Sequence, residues 1–245
     1  MVIQLKSDQG CVRASNQDAM LAFPLPDQAI FAAVCDGMGG ANGGNVASSL
    51  CIETLESHIR GRYRPDMDDS DVLTLLGDAL TAANEAVYRR AAADPALTGM
   101  GTTAVLALVR DDRILLANVG DSRAILFHSD ALHQLTKDHS YVQAMVDSGR
   151  ITAQEAERHP KKNLITRAIG VQDSVEADRF AEKWGTGDLL LLCSDGLTNE
   201  VDYDTILELI RTAPRESLAD SLISQANENG GHDNSTVVLI SRDCE

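Results

Sequence analysis

Seven short apolar runs recur along the chain, and several of them are separated by only a few polar residues. The intervening segments 110–113 and 128–130 are short enough to be hairpin connections. Adjacent strands joined by hairpins pair antiparallel, so this pattern predicts antiparallel sheets. The runs span residues 19–23, 30–35, 103–109, 114–119, 124–127, 189–193 and 237–240.

Helical patterns interrupt these runs. Apolar residues at helical spacing form one stripe over residues 46–59 and a stronger one over residues 72–87. Two more helices are expected near residues 204–211 and 215–227. The helices come in two pairs, and each pair is long enough to cover one face of a sheet.

Residues 138–166 differ from the rest of the chain. This segment is polar, partly helical in pattern and broken by Gly149 and Pro160, which predicts a flap rather than a core element. The sequence contains no repeat, low-complexity tract or linker that would divide the chain. We therefore expect one α+β domain over residues 1–245.

The composition indicates which cellular compartment and which classes of partner to expect. Among 245 residues, 44% are hydrophobic and 24% charged, and the formal net charge of −16 argues against nucleic acid or an anionic membrane as partner. No signal peptide is evident, and no apolar stretch approaches the ~20 residues that cross a bilayer. The five cysteines lack any C-x-x-C spacing, which favours free thiols. We expect a cytoplasmic monomer.

Aspartates stand where apolar runs begin or end. Asp36 and Asp195 end two runs and precede glycines, Asp121 lies between two runs, and Asp18 and Asp233 precede the first and last runs. Neighbouring antiparallel strands place the end of one beside the start of the next, so all five carboxylates are expected at one edge. A single aspartate there is usually a turn residue. Five crowded carboxylates require cations, and an all-oxygen set suits Mg²⁺ or Mn²⁺.

Eight motifs, in order along the chain, carry a resemblance to a known enzyme family. They resemble the motifs of bacterial metal-dependent protein serine/threonine phosphatases of the PP2C type over roughly residues 5–241. The resemblance implies a four-layer α-β-β-α sandwich, in which two antiparallel sheets are flanked by helix pairs. The motifs are RASNQDA, CDGMGGANGG, GTTAVLALV, ANVGDSRAIL, LTKDHS, ITRAIG, LLLLCSDGLTNEV and GGHDNSTVVLI.

The resemblance also implies the metal ligands. Asp36 would bridge two Mn²⁺ or Mg²⁺ ions, the carbonyl of Gly37 would bind one, and Asp195 and Asp233 would bind the other. Asp121, together with Asp195, would serve a third and weaker metal position. Two cations bridged by one carboxylate lower the pKa of a shared water and screen the phosphate during in-line attack.

Three further side chains receive roles from the same resemblance. Arg13 would hold the substrate phosphate, since a planar guanidinium grips phosphate oxygens better than an ammonium does. Asp18 and Asn234 would support the metal edge, Asn234 through its amide.

The chain departs from the family pattern at the expected general acid. Several members carry a histidine where this chain has Met38 or Ala41. His139 and His232 are the nearest other candidates, and water at the metal site is the remaining proton donor. Gln17 replaces a common glutamate before Asp18 and adds no charge, so we expect weaker binding of the second metal.

The expected function is hydrolysis of phosphoserine and phosphothreonine in proteins by a metal-activated water. The substrates would be phosphorylated by a partner serine/threonine kinase, or would include that kinase. Two alternatives belong to other classes. A non-catalytic phosphoprotein-binding module would have lost metal aspartates, and all of them are present. A structural Ca²⁺-binding protein would carry a D-x-[DN]-x-[DN]-G loop, and the sequence has none.

Overall fold

The computed structural model describes residues 1–242, apart from the side chains of residues 41 and 42. Its strands are β1 (Val2–Asp8), β2 (Asp18–Pro24), β3 (Ile30–Met38), β4 (Gly101–Thr102), β5 (Ala104–Arg110), β6 (Arg113–Val119), β7 (Arg123–His128), β8 (Ala131–Gln134), β9 (Asp178–Lys183), β10 (Leu189–Cys193) and β11 (Ser235–Ser241). Its helices are α1 (Gly40–Arg62), α2 (Asp69–Ala93), α3 (Tyr141–Asp147), α4 (Ala153–Glu157), α5 (Asp195–Glu200), α6 (Tyr203–Thr212) and α7 (Leu218–Glu228).

The strands form two antiparallel sheets. The first sheet has the order β1-β11-β10-β7-β8, and the second has the order β2-β3-β5-β6-β9, with β4 paired to β3. Both predicted hairpins are present: Arg110 pairs with Arg113, and His128 pairs with Ala131. Ser129 and Asp130 in the second hairpin have φ of 50° and 63°. Two positive φ values match the type I′ turn, whose twist suits a two-residue hairpin.

Three apolar cores separate four layers. In β3, Phe31 and Ala33 pack with the buried faces of α1 and α2, whereas Ala32 and Val34 face the first sheet. This alternation follows from the two-residue period of a strand. A third core, which includes Leu239, lies between the first sheet and α6 and α7. The predicted α-β-β-α sandwich with helix pairs on both outer faces is confirmed.

Of the four edge strands, only β2 was predicted. The strands β1, β8 and β9 lie at sheet edges or carry mostly half-buried and exposed residues, so their sequences lack a continuous apolar run. Central strands such as β5 and β10 are covered on both faces and therefore read as uninterrupted apolar runs.

The segment expected to be a flap, residues 138–166, contains α3 and α4. Its two ends bond to each other: Tyr141 N donates to Leu164 O at 2.8 Å, and Thr166 N donates to His139 O at 2.7 Å. We call these joined ends the flap stem. Among the helices of the described residues, none is both long and apolar enough to cross a bilayer.

The core between the second sheet and its helices generates a stability prediction. Leu106 on β5 is fully buried, so Leu106→Ala is expected to lower the free energy of unfolding by about 2–5 kcal/mol. Leu164 is 50% exposed, so Leu164→Ala should change it by less than about 0.5 kcal/mol. Urea unfolding followed by circular dichroism measures both. Equal losses in the two variants would contradict this assignment of the core.

Candidate metal centre

Neighbouring strands of the second sheet bring two of the predicted carboxylates together. Asp18 on β2 is the direct pairing partner of Asp36 on β3. Thr103 fixes the backbone of Asp36 on both sides, because Asp36 N donates to Thr103 Oγ1 at 2.9 Å and Thr103 N donates to Asp36 O at 2.8 Å. The buried run before Asp36 thus delivers this carboxylate to the sheet edge in a fixed orientation.

Asp195 is the first residue of α5, which follows β10 of the first sheet. Asp36 donates a side-chain hydrogen bond to Asp195, and Asn199 Nδ2 donates to Asp195 Oδ2 at 2.9 Å. Burial, followed by the charge of Asp18, raises the pKa of Asp36 well above its ordinary value. Burial and the charge of Asp233 raise the pKa of Asp195. Two half-buried carboxyl groups thus lie close enough to repel each other when both are ionised.

Asp233 stands just before β11 and pairs with Arg13. The Arg13 Nη2 atom lies 2.6 Å from Asp233 Oδ2, and Arg13 Nε donates to the carbonyl of His232 at 3.4 Å. The side chains of Arg13 and Asp233 are 52% and 31% exposed. The structure thus brings Arg13 to the same edge as the carboxylates, where its charge compensates that of Asp233.

Asp121 occupies the turn between β6 and β7. It is 8% exposed, and burial, followed by the charge of Asp195, raises its pKa to about 8. The neighbouring Ser122 Oγ lies 2.7 Å from Thr103 Oγ1, the same hydroxyl that bonds Asp36 N. This pair of hydroxyls therefore links the Asp121 turn to the backbone of Asp36.

Asp18 is half-buried behind these groups. Ser194 Oγ donates to Asp18 Oδ2 at 2.7 Å, whereas Asp18 Oδ1 is buried without a hydrogen-bond partner among the described residues. Burial raises the pKa of Asp18 to about 7, and its hydrogen bonds oppose that rise. A buried carboxylate oxygen without a partner is costly and favours an added proton or cation.

Asn234 and Gly37 shape the backbone around the carboxylates. Asn234 Oδ1 accepts from Gln17 N at 2.9 Å, and Asn234 Nδ2 donates to the carbonyls of Gln9 and Ser15. Asn234 thereby holds the loop that carries Arg13. A Cβ atom at Gly37 would lie 2.5 Å from the carbonyl oxygen of Gln17, so only glycine fits there.

The donor set fits hard divalent cations. The carboxyl groups bring oxygen ligands, and four of them have pKa values raised by burial and mutual repulsion (Asp18, Asp36, Asp121 and Asp195). Mg²⁺ and Mn²⁺ prefer such ligands. No three His, Cys, Asp or Glu side chains within residues 1–242 already stand in the geometry of a bound ion. Arg13 compensates the charge of Asp233 in the described contacts.

Comparison with known proteins decides the family. The model of the family "Protein phosphatase 2C" matches residues 12–230. The chain belongs to the protein phosphatase 2C family. The serine/threonine phosphatase stp of Listeria innocua is 38% identical over 245 residues, which cover 99% of this chain and 96% of that protein. The serine/threonine protein phosphatase PstP of Mycobacterium tuberculosis is 41% identical over 234 residues, which cover 96% of this chain and 43% of that protein.

Solved structures of similar phosphatases share the architecture. Stp1 of Staphylococcus aureus superposes with a TM-score of 0.93 at 34% identity, and the match covers 99% of this chain and 95% of that chain. The catalytic domain of PstP, solved in complex with two manganese ions, gives a TM-score of 0.84 at 38% identity over 97% and 96% of the two chains. The prediction of a metal-dependent protein serine/threonine phosphatase is confirmed.

The candidate general acids of this phosphatase occupy different environments. His139 is buried, and its ring nitrogens face Gly120 N and Asp178. His232 is exposed, and its Nδ1 lies 2.9 Å from Glu200 Oε1. Met38 lines a neighbouring cavity of about 270 Å³. The side chain of the other expected acid position, Ala41, lies outside the described residues.

Several hydroxyl and amide side chains that hold the carboxylates received no role from sequence reasoning. They are Thr103, Ser122, Ser194 and Asn199. Each of them lies inside a motif quoted above. Thr103 begins an apolar run, Ser122 and Ser194 adjoin an aspartate, and Asn199 follows Asp195 by one helical turn. A polar residue adjoining a buried run was the available signal for the first three, but their bonding partners are remote in sequence.

The raised carboxyl pKa values predict how stability depends on pH without divalent cations. The folded chain keeps protons on Asp18 and Asp121 that the unfolded chain releases near pH 4, so their contribution to stability is lost as pH rises through about 7–8. Asp36→Asn replaces a carboxyl group whose pKa is raised by folding with a neutral amide that does not titrate. In EDTA at pH 8, we expect this variant to have a higher Tm than the wild type and a flatter decline from pH 5.

Thermal unfolding from pH 5 to 8, with and without Mn²⁺, measures this effect. Mn²⁺ should raise the Tm of the wild type at pH 8 and raise that of Asp36→Asn much less. The matched control is Asp66→Asn, which changes an exposed carboxylate outside the site and should keep the wild-type slope. A lower Tm for Asp36→Asn in EDTA at pH 8 would contradict the electrostatic assignment.

Proposed function

We propose that Asp36, Asp195 and Asp233 are the residues with which this phosphatase binds two Mn²⁺ or Mg²⁺ ions, with the carbonyl of Gly37 as a further ligand. The observation that carries the proposal is the close approach of the half-buried Asp36 and Asp195 carboxyl groups, which come from the ends of strands in different sheets and lie within the field of Asp233. Burying such a pair destabilises the fold unless a cation neutralises it, so its presence indicates a function.

The difficulty of the reaction determines what these residues must contribute. Hydrolysis of a phosphate monoester is among the slowest uncatalysed reactions, so large transition-state stabilisation is required. When bound, two divalent cations lower the pKa of water and screen the phosphate charge. The protein contributes position: the backbone of Asp36 is held on both sides by Thr103, and Asp195 is oriented by Asn199.

Arg13 is proposed to bind the substrate phosphate. In the described contacts it uses Nη2 for Asp233 and Nε for the carbonyl of His232. A guanidinium has five N–H donors, so the remaining ones can donate to phosphate oxygens without loss of the pair with Asp233. Asp121 and Asp195 are proposed as ligands of a third, weaker cation, and Asp18 and Asn234 as supports of the site.

The substrates of this phosphatase are phosphorylated proteins. We further propose that a cognate serine/threonine kinase, or the proteins it phosphorylates, supplies them in the cytoplasm. A single domain that acts as a monomer is the simplest arrangement, since three apolar cores bury most of the large hydrophobic residues. The net charge of −16 favours proteins over nucleic acid as partners.

The assignment of ligand and phosphate contact predicts two different kinetic effects. Asp36→Ala should lower kcat by about 10³-fold, since metal catalysis supplies several kcal/mol of barrier reduction. Arg13→Ala should mainly raise KM, by roughly tenfold, because it removes a charge-assisted contact made before and during the transition state. Steady-state kinetics with p-nitrophenyl phosphate and a phosphothreonine peptide, in Mn²⁺ and in EDTA, measure both.

Arg13→Lys is the matched control, because it keeps the charge but loses the planar fork. It should lie between wild type and Arg13→Ala. Full turnover of the wild type in excess EDTA would refute the metal mechanism, and a loss of kcat alone in Arg13→Ala would refute the role of Arg13.

The position of His232 predicts that it is not the general acid. Its side chain is 70% exposed and its Nδ1 is bonded to Glu200. We expect His232→Ala to keep turnover of both aryl phosphate and phosphopeptide within a few-fold, against the ~10²–10⁴ that a general acid contributes. Aryl phosphates, whose leaving group needs little proton assistance, should be preferred. A large loss confined to phosphopeptides would instead identify His232 as the acid; His133→Ala, at an exposed site on β8, is the control.

A further inference from the structure

His139 is only 7% exposed. Its backbone and its side chain each form a hydrogen bond with the turn that carries Asp121. His139 N donates to the carbonyl of Gly120 at 2.9 Å, and Gly120 N donates to His139 Nδ1 at 3.1 Å. One residue thus satisfies both the acceptor and the donor of Gly120, immediately before Asp121.

The hydrogen-bond network assigns one tautomer to this imidazole. Since Nδ1 accepts from Gly120, it carries no proton, and Nε2 carries the hydrogen. That Nε2 lies 3.3 Å from Asp178 Oδ2, the acceptor that its hydrogen needs, and 3.2 Å from Arg167 Nη1. Burial lowers the pKa of His139, which keeps the ring neutral. Arg167 Nη1 donates to the other oxygen of Asp178 at 2.9 Å and fixes that carboxylate.

Only glycine fits at position 120. Its φ is +107°, and a Cβ atom there would lie 2.6 Å from Cβ of Thr103. Its carbonyl also accepts from Asn118 Nδ2 at 3.3 Å. A buried N–H that loses its acceptor is costly. The orientation of the peptide group that contains the Gly120 N–H therefore depends on the imidazole.

A second anchor lies on the other side of Asp121. Arg123 grips Asp138 with two nitrogens, at 2.7 Å from Nη2 and 3.1 Å from Nε. Asp138 directly precedes His139. Two consecutive residues of the flap stem therefore hold the chain immediately before Asp121 and two residues after it.

The same stem residue closes the base of the flap. Thr166 N donates to His139 O at 2.7 Å, and Ser140 forms a bridge with Ile165. Between the flap and α5 lies a groove of about 660 Å³, and its walls include Asp121 and Asp195. The position of Asp121 on that wall is thus tied to the flap through His139.

We propose that His139 is a positioning residue that locks the Gly120–Asp121 turn to the flap stem and thereby holds the Asp121 carboxylate ready for a divalent cation in the groove. This inference rests on the proposed function, since it assumes that Asp121 is a cation ligand. His139 acts only through the Gly120 peptide and touches neither substrate nor cation.

Two measurements on the intact chain test whether His139 holds the Gly120–Asp121 turn. The first is hydrogen exchange of the Gly120 amide in EDTA, which needs no cation and no activity. We expect faster exchange in His139→Ala and near wild-type protection in His139→Asn, because the Asn side-chain oxygen takes the place of Nδ1. The second is titration with Mn²⁺ alone, followed by calorimetry and by the EPR signal of free Mn²⁺.

In the Mn²⁺ titration, His139→Ala should weaken the lower-affinity binding by about 10- to 100-fold, the usual cost of losing a residue that orients a metal ligand. The tighter binding should stay within about twofold. His139→Asn should recover the lower-affinity binding. The double variant Asp121→Ala/His139→Ala should bind no more weakly than Asp121→Ala, because both changes act on one carboxylate. His133→Ala removes an exposed imidazole and is the control.

Wild-type Mn²⁺ binding in His139→Ala, or additive losses in the double variant, would overturn the proposal. If His139→Ala does not fold, Asp178→Ala replaces it: this change removes the acceptor of Nε2–H, and it should speed exchange at Gly120 and weaken the same binding to a smaller degree. No effect there would also overturn the proposal. If Asp36→Asn binds Mn²⁺ as the wild type does, the proposed metal centre is refuted instead. Hydrogen exchange of the Gly120 amide in EDTA still tests separately whether His139 holds the Gly120–Asp121 turn.

Discussion

Repulsion between the clustered carboxylates is the destabilising interaction that the rest of this structure has to offset. Asp18, Asp36, Asp121 and Asp195 are buried or half-buried, and each lies in the field of the others. Such a set destabilises the folded chain when no cation is bound. The opposing free energy comes from elsewhere, from three apolar cores in which most side chains are fully buried. A four-layer sandwich supplies these cores and leaves one strand edge free for charge.

The groups that orient the carboxylates are mostly neutral, and this follows from the same constraint. Thr103 bonds the backbone of Asp36, Ser122 bonds the hydroxyl of Thr103, and Ser194 bonds a carboxyl oxygen of Asp18, all without adding a negative charge. The hydroxyl pair of Thr103 and Ser122 therefore connects β3 with the turn after β6. Arg13, the cation paired with Asp233, is exposed. Its guanidinium is therefore accessible to a phosphate in a way that a buried arginine would not be.

Local patterns predicted the parts of this site that are local. Asp36 and Asp195 end apolar runs, and strand pairing rules place such ends together, so the edge and its cation preference follow from the sequence. The bond between Thr103 and Ser122, and that between His139 and Gly120, join positions 19 residues apart in each case, and no periodicity encodes them. The strands β1 and β9 escaped prediction because one side of an edge strand faces solvent. Likewise, the pairing of Arg13 with Asp233 spans 220 positions.

The elements that carry the proposed ligands are held in different ways, and this difference orders the proposed cation positions. Asp36 is the continuation of a central strand, and Asp195 follows another whose residues are all buried, so packing fixes their backbones. Asp121 instead follows a glycine at φ +107° in a turn, and hydrogen bonds join that turn to the flap stem. In the proposed metal centre, a cation at Asp121 would therefore depend on contacts from the flap stem, whereas a cation held by Asp36 and Asp195 would depend on the strands of the sandwich. This difference would give tight and weak binding in one groove.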